Sequence, residues 1–395
     1  MQSRKSLICL SSLLLLLAAT TADAQSSALL GQKDLQYLGA FHVPVLPGNG
    51  LSYGGHGLAY NPANNSLYIV GHVYDLLTAE ISIPAIGGTA TILQPLTDST
   101  GGKLGQIGTG TLRIGGNLVY NNKLYVSAFV YYDANGAQTL SHFNRPLNLA
   151  APGVVGPYRV GPAGAGIYSG YMTVIPQEWR AKLGAPALTG NCCLSILSRT
   201  SYGPSVSAWD PENSTPNAVT LLDYDQAHET LGVYQAPGIH PVFNGTTKVT
   251  GIFFPPGTAS VLFFGSTGVG TYCYGEASAC NDPSNNSKGE HAYPYRAYIW
   301  AYNANDLAAV RAGSVQPYAV TPYATWELSD FGNVDIDFST GGAAYDSATG
   351  KLYLSQVNGD GDQPLIRVYQ VNAPTQAAAP PPPASPDPPT NVTVK

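Results

Sequence analysis

The side chains able to do chemistry in this chain are sparse, since Asp, Glu, Lys and Arg make up only 11% of its residues. Several of them fall just before or just after segments that read as strands. His56, Arg113, Asp335 and Asp337 precede such segments, while His72, Arg199, Lys288 and His291 follow others. Two chemistries suit this set. Elimination across a uronate needs a cation to neutralise the sugar carboxylate, and Arg113, Arg199 or Lys288 qualifies. It also needs a base to remove the adjacent proton, and His56, His72 or His291 qualifies. Hydrolysis of a glycosidic bond needs two carboxylates at a set separation, which Asp75, Asp335, Asp337 or Glu290 would supply. Tyr132, Lys288, Glu290 and Gln356 are the residues expected to contact substrate. Taken one at a time, each also reads as an ordinary solvated loop residue or a histidine satisfied by backbone bonds.

Calcium is the one cofactor the sequence suggests. Asn358-Gly359-Asp360-Gly361-Asp362 alternates oxygen ligands as a calcium loop does. Gln363 replaces the next glycine, however, and Tyr369 stands where a bidentate Glu would close the shell. Asp335-Ile336-Asp337 is similarly incomplete. The metal candidates are therefore Asp335, Asp337, Asp360 and Asp362. No G-x-S-x-G, no H-E-x-x-H and no Gly-rich phosphate loop occurs in a strand–helix context, so serine-hydrolase, zinc-protease and nucleotide chemistry lack support.

These residues must be positioned by a repeated hairpin. Gly57 to Gly71, GLAYNPANNSLYIVG, is a strand, a turn and a second strand, and Gly342 to Gln356, GAAYDSATGKLYLSQ, repeats it. Gly251 to Gly265 matches again, and Asn117 to Ser127 is the same hairpin with a shorter turn. A fifth unit near Gly170 is disguised: Tyr171 to Ile175, an insertion over Pro176 to Leu188, then Leu194 to Ser198. Hairpins recurring at long intervals point to blades around an axis. The expected class is all-β, a β-propeller of five blades, or six or seven if a long insertion hides another; a β-sandwich is the competing reading. The extended segment Gln36 to Pro44 has no hairpin of its own. Pairing it with Leu365 to Val371 would close the ring and remove a sheet edge. Helix is expected only at Gln177 to Lys182 and Asn305 to Arg311, as surface decoration.

In a propeller, loops entering the inner strands share one face with loops joining second and third strands. The candidate residues named above fall on those loops, and loops on a rigid scaffold commonly carry function. Cys273 to Tyr295 is the longest such insertion and is expected to act as a lid.

The first residues, Met1-Gln2-Ser3-Arg4-Lys5, an apolar run to Ala19 and Ala22-Asp23-Ala24 form a secretory leader over residues 1–24, so the chain is expected to be secreted, extracellular or periplasmic. The propeller is expected over 35–372 and a Pro-rich linker or tail over 373–395. With Cys9 in the leader, four cysteines remain. Cys273–Cys280 is the preferred disulfide, leaving Cys192 and Cys193 as a vicinal bridge or two thiols. No pair has the C-x₂-C spacing of a zinc site. A net charge of −6 argues against nucleic acid and anionic membranes as partners, and no later run is apolar enough to span a bilayer.

The strand pairs of the form G-x-A-Y-D/N-P-x-x-x-x-L-Y-V resemble the blades of kelch-type and lactonase-type propellers. That resemblance covers most of Gln36 to Asn372 and implies the fold; a lactonase-type channel metal would find its nearest ligands in Asp335 and Asp337. Ser287-Lys288-Gly289 with His291-Ala292-Tyr293-Pro294-Tyr295 is also similar to secreted bacterial propeller proteins, which transfers no catalytic residue. The ending PDPPTNVTVK resembles the opening of a fibronectin type III module. Together these readings anticipate a secreted propeller that binds or processes an extracellular polysaccharide or cell-surface glycan at its loop-rich face. The alternative is a non-catalytic adhesion module on a Pro-rich tether.

Overall fold

The computed structural model describes residues 28–193, 201–224, 243–332, 334 and 339–373. Strand β1 (Leu35–His42) comes first. It is followed by a four-stranded sheet of β2 (Leu58–Asn61), β3 (Ser66–Val70), β4 (Thr78–Ser82) and β5 (Ile92–Thr97). The second sheet holds β6 (Leu112–Tyr120), β7 (Lys123–Val130), β8 (His142–Pro146) and β9 (Val155–Tyr158). In the third, β10 (Met172–Val174) is followed by helix α1 (Gln177–Leu183), then β11 (Ala187–Thr189), β12 (Val206–Trp209) and β13 (Val219–Leu222).

The fourth sheet begins with β14 (Lys248–Phe253) and β15 (Ser260–Gly268). An excursion follows, made of β16 (Cys273–Gly275), α2 (Ala277–Cys280) and β17 (Gly289–His291). The sheet then resumes with β18 (Tyr295–Asn303), passes through α3 (Ala304–Arg311) and ends with β19 (Ala324–Glu327). The fifth combines β20 (Thr340–Asp346), β21 (Lys351–Asp360) and β22 (Gln363–Val371) with β1 as its outer strand.

Inner strands β2, β6, β10, β14 and β20 each touch their two counterparts in the adjoining sheets, and β20 returns to β2. That ring makes the protein a five-bladed β-propeller. Closure is by β1, antiparallel to β22, with Leu35 opposite Val371, Ala40 opposite Arg367 and Phe41 opposite Ile366. The last blade thereby gains an outer strand, and no edge is left where the chain would otherwise end its sheet.

The sheets hold because both faces are apolar. Every residue of β3 and of β15 is buried, as expected for strands packed on both sides. A separate core cluster fills each gap between neighbouring blades, and the one between blades three and four is the largest. Helices α1 and α3 belong to that cluster, so they are more than surface decoration. Trp179, Leu183 and Leu307 are fully buried in it, and the Trp179 indole N–H donates to the Thr258 carbonyl at 2.8 Å. Repetition extends to the turns: Asn61 Oδ1 accepts from Ala63 N at 3.1 Å, and Asp346 Oδ1 accepts from Ala348 N at 2.9 Å.

The third blade corrects the expected pairing. Its second strand is Ala187–Thr189, which begins within the last two residues of the segment read as an insertion, with Met172 opposite Thr189 and Val174 opposite Ala187. The short helix α1 fills the place of a turn and delivers the buried segment Ala187–Thr189 directly to β10. Leu194 to Ser198, expected to form that strand, lies outside the described residues.

One glycine per blade sets the width of the channel. A methyl group on Gly57 would sit 3.2 Å from the Gly116 Cα, one on Gly116 2.6 Å from the Gly170 carbonyl oxygen, and one on Gly342 2.5 Å from the Leu58 nitrogen. On Gly251 it would meet the Ala343 Cβ at 2.6 Å. The inner strands therefore converge to a waist enclosing only about 10 Å³.

Candidate binding site at the channel mouth

Above the waist the channel opens into a cavity of about 300 Å³. Its floor is built by the residues just before the waist glycines. Pairing of β6 with β7 runs from Ile114–Ala128 to Gly116–Ser127 and skips Gly115. In β14 it runs from Val249–Gly265 to Gly251–Phe264 and skips Thr250. Such bulges bend the strand and re-aim a side chain, and Thr250 joins the lining of both the cavity and the waist. The same register carries the cations. Arg113 stands three residues before Gly116 and Lys248 three before Gly251, so blades two and four each present one positive charge to the cavity.

His56, one residue before Gly57, completes the floor. Its Nε2 is shielded from solvent and has no hydrogen-bond partner, and the same is true of Thr250 Oγ1. Burial first, and the Arg113 charge second, push the His56 imidazole down to about 4 against a backbone hydrogen bond with Tyr53 that raises it. At neutral pH this ring is uncharged. Tyr171 also lines the cavity, but its hydroxyl is used within the fold: it donates to Ser205 O at 2.9 Å and accepts from Ser205 N at 3.1 Å. Burial raises that phenol well above its ordinary range. Part of the wall is the Cys192–Cys193 pair, a bridge between adjacent residues. Lys248 Nζ donates to the Cys193 carbonyl at 3.0 Å.

Tyr74 and Tyr131 stand at the rim of the cavity, and Tyr53 and His72 continue the aromatic series outward from Tyr74. Tyr53 meets His72 at 6.3 Å between centroids, and His72 meets Tyr74 at 5.6 Å. The Arg113 guanidinium lies 4.8 Å from the Tyr74 ring centre and 5.9 Å from that of Tyr131. Tyr74 is 69% exposed despite these contacts. The series runs from the segment ahead of β2, over the β3–β4 loop, to the β7–β8 loop, and so crosses two blades.

Of the residues singled out in the sequence, His56 and Arg113 reach the cavity, while His72 lies outside its lining, in ring contact with Tyr53 and Tyr74. Tyr132 lies exposed on the β7–β8 loop. His291 is fully buried within the β16–β17 excursion, where Nδ1 lies 2.8 Å from Asp282 Oδ2 and Nε2 lies 3.0 Å from the Ser287 carbonyl. Both ring nitrogens are therefore occupied by that excursion's own architecture. The Cys273–Cys280 disulfide ties β16 to α2 within it, and Lys288 is exposed. Glu290 Oε1 accepts from the Tyr272 hydroxyl at 3.2 Å. Burial raises the Glu290 carboxyl, while Lys248 and Tyr272 pull it back.

Gln356 serves the fifth blade: its Oε1 accepts from Arg367 at 2.8 Å and 2.6 Å, and its Nε2 donates to Phe331 O at 3.2 Å. Asp360 pairs with His42 Nδ1 at 2.7 Å, and Asp362 accepts from the Tyr53 hydroxyl at 2.5 Å. These two carboxylates have separate partners, and no group of three metal-ligating side chains occurs among the described residues. Arg199, Asp335 and Asp337 lie outside the described residues.

Sequence reasoning passed over Tyr74, Lys248, Thr250 and the Cys192–Cys193 wall. For Lys248 the signal was present, since its distance from Gly251 equals that of Arg113 from Gly116. Thr250 needed the bulge, which no residue type announces. One buried carboxylate outside the cavity is structural. Burial alone would raise Glu80, but hydrogen bonds from Ser66, Gln94, Asn61 and Asn64 more than offset this and hold it below its usual range.

A five-bladed propeller with a cationic, aromatic-rimmed cavity at one end is the class that fold and site define. No protein-family model matches the chain, and no curated protein matches it. Among solved structures it is similar to the native arabinanase Arb43A of Bacillus subtilis, at 11% identity over 84% of this chain and 96% of that one, with a TM-score of 0.43. A GH43 endo-arabinanase from Bacillus licheniformis matches at 9% identity over 81% and 93%, with a TM-score of 0.41. A luciferin-regenerating enzyme matches at 9% identity over 82% and 93%, with a TM-score of 0.36. None of these likenesses carries chemistry across to this chain. No helix among the described residues is long and apolar enough to cross a membrane.

Proposed function

We propose that this protein binds an extracellular glycan at the channel mouth, with sugar rings stacked along the aromatic rim and one residue entering the cavity. The observation that carries this reading is the series Tyr53, His72, Tyr74, Arg113 and Tyr131, a partly exposed aromatic surface beside a concave, preformed cavity. Flat rings with a polar edge suit the apolar faces and hydroxyl edges of pyranoses, and a concave site with a few convergent polar groups is the usual form of a small-ligand pocket. Export through the leader over residues 1–24 would bring the site to its substrate, in a compartment where disulfides persist.

Binding is better supported than bond cleavage. The described residues lining the cavity include no Asp or Glu; of the carboxylates considered for hydrolysis, Asp75 accepts from Asn49 at 3.2 Å, Glu290 belongs to β17, and Asp335 and Asp337 lie outside the described residues. Calorimetric titration with a panel of plant and microbial oligosaccharides tests the reading. At least one should bind, and Tyr74→Ala should weaken it about tenfold. Undiminished affinity in both Tyr74→Ala and Tyr131→Ala would remove the rim from the site.

A further inference from the structure

The cavity says more about the sugar than the rim does. Its lining gathers the charges of Arg113 and Lys248 within about 300 Å³, in a chain of net charge −6. Neither cation has a carboxylate within salt-bridge distance among the described residues. Arg113 lies over two tyrosine rings and gives one N–H to the Leu112 carbonyl at 2.9 Å. Ring contacts engage the flat face of a guanidinium and leave its remaining edge donors for an in-plane acceptor. Lys248, from blade four, is steadied by the Cys193 carbonyl of the adjoining third-blade segment. Beneath them, Thr250 Oγ1 and His56 Nε2 are shielded polar atoms without partners, and such atoms are costly to leave unsatisfied.

Resting on the glycan reading above, we propose that the bound glycan is acidic and that a uronate carboxylate enters the cavity between Arg113 and Lys248, above Thr250 and His56. Two cations from separate blades offset the charge of one carboxylate, and the floor offers a hydroxyl to an oxygen that descends further. A neutral sugar would leave Arg113 and the floor unanswered and Lys248 opposed only by Glu290, which acts on it from beyond salt-bridge distance, and a site built to pair a polar group discriminates strongly against an analogue lacking it. The two cations come from equivalent positions of blades two and four, so the selectivity is produced by the repeat itself.

The test compares each acid with its own neutral form. Oligomers of galacturonate, glucuronate and mannuronate–guluronate are titrated into the full chain beside the same oligomers with their carboxyl groups reduced to alcohols. At least one acid should bind about tenfold or more tightly than its reduced counterpart, and added salt should shrink that advantage. Arg113→Gln and Lys248→Gln should each abolish the preference, while Tyr74→Ala weakens both forms alike. Equal binding of an acid and its reduced form refutes the carboxylate site and leaves the glycan reading standing. If neither form of any oligomer binds, both readings fall. The acid-versus-alcohol comparison uses the unaltered protein, so it decides the matter even if a cavity variant misfolds.

Discussion

Gly116 in β6 approaches Gly170, ahead of β10, so closely that a methyl group on the former would lie 2.6 Å from the carbonyl oxygen of the latter. The obstacle is backbone, which cannot swing aside as a side-chain end can. Gly116→Ala must therefore push two blades apart at the waist, where every inner strand is already held by two others. Overpacking of this kind costs about 1–3 kcal/mol or more, and the melting temperature should fall accordingly. Gly105→Ala provides the control, since open space surrounds that position. Equal melting temperatures for the two variants would show that the waist is not a tight constriction.

The β16–β17 excursion should depend on one buried pair. Asp282 accepts from His291 at 2.8 Å and also from the Tyr295 hydroxyl. Burial would raise this carboxyl, but hydrogen bonds from His291, Tyr295 and Ser284 hold it well below the ordinary carboxylate range. Removing His291 leaves the buried Asp282 charge only its hydrogen bonds from Tyr295 and Ser284, and removing Asp282 leaves His291 only the Ser287 carbonyl, at a cost of up to about 3–5 kcal/mol. Because the excursion hangs from β15 and β18 and has its own disulfide, that loss should appear locally. Asp282→Ala and His291→Ala should expose the segment between Cys273 and His291 to limited proteolysis while the blades stay folded. An unchanged digestion pattern in both variants would contradict the clamp.

How far these features were legible in the sequence follows from what each depends on. Hairpins are local, so the repeats at Gly57, Gly251 and Gly342 were readable, and the closing partnership of β1 with β22 followed from a strand left without a hairpin. The third blade was misread because Pro176 resembles the start of an excursion. Its helix is short enough to act as a turn, and Ala187–Thr189 carries no turn or aromatic marker of its own. At the site, residue type alone ranked His291 with His56. Only packing separates them: both nitrogens of His291 are engaged, whereas Nε2 of His56 is left open. Lys248 and Thr250 owe their positions to a register and a bulge, which become visible once strands are aligned on the waist glycines.

Acid sensitivity should centre on His142, which links two blades. The Thr189 hydroxyl donates to the Tyr168 carbonyl at 2.6 Å, so toward His142 Nε2, 3.0 Å away, it can only accept. Nε2 therefore carries the proton, and Nδ1 accepts from the Ser141 hydroxyl at 2.8 Å. The ring is fully buried with its centre 4.9 Å from that of Trp209, so the neutral form is complete and a second proton has no ready acceptor. Burial pushes this imidazole from 6.5 down to about 3. With the folded value below the unfolded one, the stabilisation is fully present above pH 6.5 and is lost progressively as pH falls toward 3. Within that window the unfolded chain binds the additional proton, at up to about 1.4 kcal/mol per pH unit. Urea midpoints measured between pH 7 and pH 4 should therefore drop on acidification, and His142→Gln should flatten the slope by about one proton while lowering stability at neutral pH. His56, pushed down to about 4, contributes over a narrower range, so His142→Gln with His56→Gln should flatten it further. A slope unaltered by His142→Gln would mean that this ring takes up its proton in the folded protein as readily as in the unfolded one.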